Sequence, residues 1–144
     1  MPLSKLYSGD SGDFSARASG VQQILDYMSA NSAGRAVIVA GDTNDRYTNS
    51  GRSISRFADA GFKDAWVERV NGGVYPAEGA AANPCAVPAA SSACEIVDKV
   101  LYRSGGGVTL GAASFDYETD LFVQPDGNVL SDHNPIRVEF TYSK

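Results

Sequence analysis

The sequence predicts one α/β domain over residues 1–144, and three observations carry that prediction. Apolar residues at the helical period follow a polar stretch near the N-terminus. A short, unbroken apolar run comes next, and the second half returns as strand-like segments parted by glycine and proline turns. At 144 residues the chain has the length of one ordinary domain and can bury a real core.

Residues 8–15, Ser-Gly-Asp-Ser-Gly-Asp-Phe-Ser, read as a polar loop, with Asp13 or Ser15 capping the helix after it. In that helix Val21, Ile24, Leu25 and Met28 share one face, against Gln22, Gln23, Asp26 and Ser29 on the other; residues 31–34 end it. Residues 36–40, Ala-Val-Ile-Val-Ala, read as a strand buried on both faces, as in α/β sheets. Gly41-Asp42-Thr43-Asn44 stands just past its C-terminal end, where open α/β sheets place their functional groups. Residues 53–60 predict a short helix with Ile54, Phe57 and Ala58 inward and Gly61 as its stop. Lys63-Asp64-Ala65-Trp66 leads into an irregular insertion loop over residues 72–93, rich in Gly, Ala, Pro and Ser. Strands are expected at 97–103, 108–117 and 137–142, with turns at Gly105-Gly106-Gly107 and Pro125-Asp126-Gly127-Asn128.

The charge balance narrows the partners. Twelve Lys and Arg against 17 Asp and Glu give a net charge of -5, which argues against broad electrostatic capture of nucleic acid. A single phosphate held at a metal ion remains compatible, because the ion then carries the local positive charge. No apolar stretch approaches the roughly 20 residues of a membrane span, and residues 1–7 lack the apolar core of a signal peptide. Cys85 and Cys94 bracket a small-residue loop without a CxxC pair or neighbouring histidines, so a disulfide is favoured over two free thiols or a metal clip. A disulfide in turn points to an oxidising, extracellular setting.

The chemistry-bearing strings come from three places. His133 is the only histidine, in Ser131-Asp132-His133-Asn134-Pro135, and imidazole is the side chain that exchanges a proton near neutral pH. A lone histidine beside an aspartate is weak evidence, since such residues commonly just pack. Asp42 and Asn44 are also ordinary turn residues, and Asp132 suits an Asx turn. Asp98 is harder to dismiss: in Ile96-Val97-Asp98-Lys99-Val100-Leu101 it puts a carboxylate in an apolar strand, which is costly without a partner. Trp66, Tyr75 and Tyr117 are expected to pack, while Arg46 and Arg52 are candidate phosphate contacts.

Together, Gly-Asp-x-Asn after an apolar strand, an Asp within a later strand and a terminal Ser-Asp-His resemble the endonuclease/exonuclease/phosphatase (deoxyribonuclease I-like) superfamily, in the family's order. That superfamily includes pancreatic deoxyribonuclease, exonuclease III, apurinic endonucleases, neutral sphingomyelinases and inositol polyphosphate 5-phosphatases. Residues 15–18 and 41–48 are, more narrowly, similar to secreted fungal members. The resemblance implies a metal-dependent hydrolase of phosphodiesters or phosphomonoesters. Its substrate would be nucleic acid, a phospholipid headgroup or a small phosphoester, with long duplex DNA disfavoured by the acidic balance.

The resemblance also implies roles. His133 would contact the scissile phosphate or act as general base, oriented by Asp98. Asp42 would position the attacking water, with the choice of proton acceptor open between Asp42 and His133. Asn44 would donate to the phosphate or hold the water. Asp132, with Asp42, would coordinate or lie beside a divalent ion: magnesium, or else manganese or calcium.

It covers only the C-terminal half of the family's four-layer α/β/β/α sandwich. The half it leaves out brings an Asn, a second His and the metal-anchoring Glu. Glu68, Glu78, Glu95, Glu118 and Glu139 lie outside the relevant context, and Lys5 to Tyr7 stand where the second His is expected. The implied half is one sheet with helices on a single face, weak magnesium binding and impaired activity. Its open sheet face would be covered by a partner such as a second copy. The alternative reading is a non-catalytic remnant that keeps the fold as a binding or assembly module.

Overall fold

A computed structural model describes residues 11–144, with side chains from Asp13 onward. The first helix, α1 (Ser11–Asn31), lays Val21, Leu25 and Met28 against Phe57, Phe62, Leu101, Val37 and Val39. These residues are spaced four and three apart, the stripe a helix must present to bury one face. Ile24 falls beside that stripe and is 39% exposed, so the buried face is narrower than the sequence suggests. Residues 11–15, expected as loop, belong to the helix; Phe14 lies beneath the Arg17 guanidinium one turn on, at 4.5 Å, and this contact favours the added turn. Residues 8–10 of that expected loop lie outside the described residues.

Strand β1 (Val37–Asp42) pairs antiparallel with β3 (Asp98–Arg103), whose other edge takes the short β2 (Lys63–Asp64). The expectation of a strand buried on both faces fails here. Burial alternates along β1 and Ile38 is 49% exposed, because β1 is an edge strand of an antiparallel sheet among the described residues. Between the sheets' outer helix α2 (Ser55–Asp59) and β2, Gly61 takes φ +86°, a conformation that stops the helix and that side-chain-bearing residues avoid. Helix α3 (Ala65–Arg69) and β2 were not legible in the sequence. The Asp64 carboxylate caps α3 by accepting from the backbone N–H groups of Trp66 (2.8 Å) and Val67 (3.4 Å).

After the glycine turn at 105–107, β4 (Thr109–Tyr117) and β5 (Ile136–Ser143) form a second, two-stranded antiparallel sheet. It crosses the inner face of the first sheet. Tyr102 meets Phe140 edge-on at 5.3 Å, and Phe115 joins Tyr47, Trp66 and Tyr102 in a second core cluster. The fold is therefore mixed α/β with two packed sheets and outer helices, compatible with a fragment of an α/β sandwich. One sheet was expected; the β4–β5 ribbon instead covers part of the inner face, leaving Ile38 outside its reach. Trp66, Tyr75 and Tyr117 pack as expected: Trp66 is buried, Tyr75 meets Tyr47 at 4.9 Å, and Tyr117 meets Phe115 at 5.3 Å.

Cys85 and Cys94 are joined by a disulfide across a sequence separation of nine. Mass spectrometry of non-reduced, alkylated protein should find neither cysteine labelled. Reduction should cost about 2 to 3 kcal/mol, the loop-entropy value for so short a ring, measured by urea unfolding with and without reductant.

Candidate active site

Asp42 and Asp98 are direct cross-strand partners at the ends of β1 and β3. Like charges placed opposite one another repel, so this pair needs a positive or hydrogen-bonding group between them. His133 supplies it. Its Nδ1 lies 2.8 Å from Asp98 Oδ2, and its Nε2 lies 3.9 Å from Asp42 Oδ2. The hydrogen bond donated to Asp98 is the main reason the imidazole pKa is raised above its ordinary value; the charges of Asp98, Asp42 and Asp132 add to it, while burial opposes it.

The strand ends alone do not aim these groups. Asn44 adopts φ +48°, in the left-handed region that Asn tolerates better than most residues. Its backbone N–H donates to Asp42 Oδ1 at 2.8 Å and its side-chain amide to Asp42 Oδ2 at 3.3 Å, closing an Asx turn that fixes the carboxylate. The Thr43 N–H (3.0 Å) and hydroxyl (2.6 Å) both donate to the Val97 carbonyl, tying this turn to the residue before Asp98. On the other side, the Ser131 hydroxyl accepts from the His133 N–H at 3.0 Å. Buried Asn134 accepts from the Ala89 N–H (2.9 Å) and donates to the Ala86 carbonyl (3.0 Å). The His133 turn is thereby clamped to the disulfide loop. A loop that reads as remote from the site in sequence is part of its wall.

A cleft of about 520 Å³ opens over these groups, lined among others by Asn44, Arg46, Asp98, Asp132, His133 and Arg17. Asp42, Asp98 and His133 form the only group among the described residues with three metal-competent donor atoms, all within 4.8 Å of one another. Two carboxylates and an imidazole match a divalent cation in charge and donor type, with further positions left for water and substrate. Asp132 lines the same cleft but is not in that group. Arg46 also lines it, whereas Arg52 is spent on the backbone, donating to the Tyr47 and Pro76 carbonyls.

Sequence reasoning missed the supports. Asp45 is completely buried beneath the Asp42 turn and accepts five hydrogen bonds. Glu95 and Lys99 form a buried pair at 2.7 Å, and Glu95 also accepts from the Tyr47 N–H at 2.8 Å. Burial raises the Asp64 pKa, opposed by the charge of Lys99 and a 2.8 Å hydrogen bond from the Tyr47 hydroxyl. Only the density of Asp, Thr and Asn in residues 42–45 hinted at such a turn.

Over 121 residues, 83% of its length, the chain is 44% identical to proteins named sphingomyelinase from Mycobacterium tuberculosis and Mycobacterium bovis. The match spans 24% of those relatives, so the chain corresponds to about a quarter of their length. No family model matches the chain, and no solved structure does. The similarity is a partial match that agrees with the superfamily resemblance carried by the three strings, since neutral sphingomyelinases belong to that superfamily.

Proposed function

We propose that the cleft is the hydrolytic site of a metal-dependent phosphodiesterase of the endonuclease/exonuclease/phosphatase type, acting on a sphingomyelin-like phospholipid headgroup. The carrying observation is the Asp98–His133–Asp42 constellation, with Nδ1 of His133 held at 2.8 Å by Asp98 and Nε2 left facing the cleft. The relatives' name supports the substrate class.

In this reading Asp98 fixes the ring and His133 Nε2 takes a proton from water positioned by Asp42. The water oxygen bonds to phosphorus as the ester bond to the leaving alcohol breaks, and the alkoxide takes a proton from solvent. Asn44 holds Asp42 in place and offers its remaining amide N–H to the phosphate. Magnesium held by Asp42, with Asp132 beside it, would polarise the phosphoryl oxygen. Arg46, on the cleft wall, offers a guanidinium to the phosphate. The Cys85–Cys94 disulfide supports an extracellular setting for this activity.

The test is release of the phosphorylated headgroup from sphingomyelin dispersed in detergent, with magnesium and with chelator, beside a short DNA duplex and a phosphomonoester. Expected is slow, magnesium-dependent turnover of the lipid above both alternatives. Turnover should be slow because, with Asp98 and His133 engaged with each other, the ion is left with the Asp42 carboxylate and Asp132 beside it among the described residues. Equal rates with chelator, or preference for DNA, would refute the reading; no turnover at all would favour a binding module.

A further inference from the structure

Helix α1 buries one stripe, and Arg17 stands in it. Val21, Leu25 and Met28 carry that stripe toward the C-terminus, so the position four residues before Val21 is one that an apolar side chain would fill. It holds a guanidinium instead, only 7% exposed, whose Nε is buried and has no hydrogen-bond partner. Arginine stays charged at any working pH, and a buried charged donor is costly unless something accepts from it. The Phe14 ring, at 4.5 Å, engages the flat face of the guanidinium, whereas its N–H groups point out along the edge. The backbone beneath it is fixed: the Arg56 side chain donates to the Ala18 carbonyl at 3.2 Å, tying this turn of α1 to α2.

We propose that Arg17 is a phosphate-binding residue of the cleft, presenting Nε–H and a terminal N–H side by side to two non-bridging oxygens of the substrate. Two further observations select that ligand. Arg17 lines the same cleft of about 520 Å³ as His133, Asn44 and Arg46, so a bound molecule there can supply the acceptor that the protein does not. Asp98 and Asp132 line this cleft too, yet no ion pair among the described residues joins either to Arg17. The neighbouring cation is also lightly engaged: the Arg46 side chain makes only a long 3.5 Å contact, from Nε to the Glu95 carbonyl, among the described residues. Two guanidiniums around one cleft call for an anion. The planar fork of arginine matches paired phosphate oxygens, where a lysine would offer only a point charge. The inference rests on the phosphoester reading above and adds to it the group that grips the phosphate.

Titration calorimetry with inorganic phosphate, in EDTA and at fixed ionic strength, tests it on the unaltered chain, Arg17→Gln and Arg17→Lys. Arg69→Gln is the control, removing an exposed positive charge on α3. Circular dichroism checks that each variant is folded. Phe14→Leu is a further variant that keeps the guanidinium and removes only the ring beneath it, and it should weaken phosphate binding by about two- to fivefold. The unaltered chain should bind phosphate, and Arg17→Gln should bind at least about tenfold more weakly, the usual worth of hydrogen bonds between charged groups. Arg17→Lys should recover little of that loss, because it restores the charge and not the fork. Arg69→Gln should bind as the unaltered chain does. No phosphate binding, equal binding by Arg17→Gln, full recovery in Arg17→Lys, or an equal loss in Arg69→Gln would overturn the inference. Magnesium-dependent turnover of a water-soluble phosphodiester is scored separately, and Arg17→Gln should raise KM at least about tenfold while kcat changes less. Phosphate binding through Arg17 without turnover sinks only the phosphodiesterase reading. Turnover in which Arg17→Gln moves neither KM nor phosphate affinity sinks only this inference.

Discussion

His133→Ala should lower phosphodiester turnover by at least about 100-fold, the usual contribution of a positioned acid–base group, and bring so slow a reaction to background. His133 is the only histidine, so no neighbour can substitute for it. Asp98→Asn should fall less far, but it should also move the pH profile. In the folded protein the imidazole pKa is raised, chiefly by the Asp98 hydrogen bond and then by the Asp98, Asp42 and Asp132 charges. A general base works only when neutral. Turnover should therefore rise with pH through that raised value, giving an acid limb above the ordinary imidazole range. Removing the Asp98 charge lowers the pKa, so the limb in Asp98→Asn should shift to lower pH while the plateau drops. The check is initial rate against pH for both proteins at saturating magnesium. A limb that stays in place, or activity that falls as pH rises through this range, would show that His133 does not act as the base.

The sequence was most legible where local chemistry and strand ends coincide. Gly41-Asp42-Thr43-Asn44, Asp98 and Asp132-His133 each sit at a boundary that apolar patterning marks, and the structure brings Asp42, Asn44, Asp98 and His133 together. What was illegible is long-range. Nothing local shows that Asp42 and Asp98 would be cross-strand partners, that Thr43 would seek the Val97 carbonyl, or that Asn134 would fasten His133 to the disulfide loop. The apolar run at 36–40 misled because an edge strand in an antiparallel sheet and a buried parallel strand share a composition and differ only in neighbours. Helices α2 and α3 are both five residues long, too short for periodicity alone; α2 was read with the help of its Gly61 stop, and α3 has no glycine so close behind its last turn.

Asp45→Ala should be the most damaging single change to stability, by about 3 to 5 kcal/mol, because it strands buried donors and gives them no substitute. Asp45 is fully buried. Its Oδ1 accepts from the Arg46 N–H at 3.0 Å and the Asn49 amide at 2.9 Å. Its Oδ2 accepts from the Ser53 N–H (2.7 Å), the Ser53 hydroxyl (3.2 Å) and the Ile54 N–H (3.3 Å). Every partner is a donor, so the environment asks for two acceptor oxygens. Asp45→Asn keeps the shape but turns an NH₂ toward donors on one side, and it should lie between alanine and the natural residue. For a chain of this length each kcal/mol moves Tm by about 2 to 4 °C, so alanine should lower it by roughly 6 to 20 °C in a thermal scan followed by circular dichroism. The damage should reach the site as well. The Asp42 turn and the Ser53–Ile54 segment are held to each other through this one carboxylate, so magnesium-dependent turnover should fall even below the melting transition. A Tm within about 2 °C of the natural protein for Asp45→Ala would mean that water can serve these donors and that the turn is held from elsewhere.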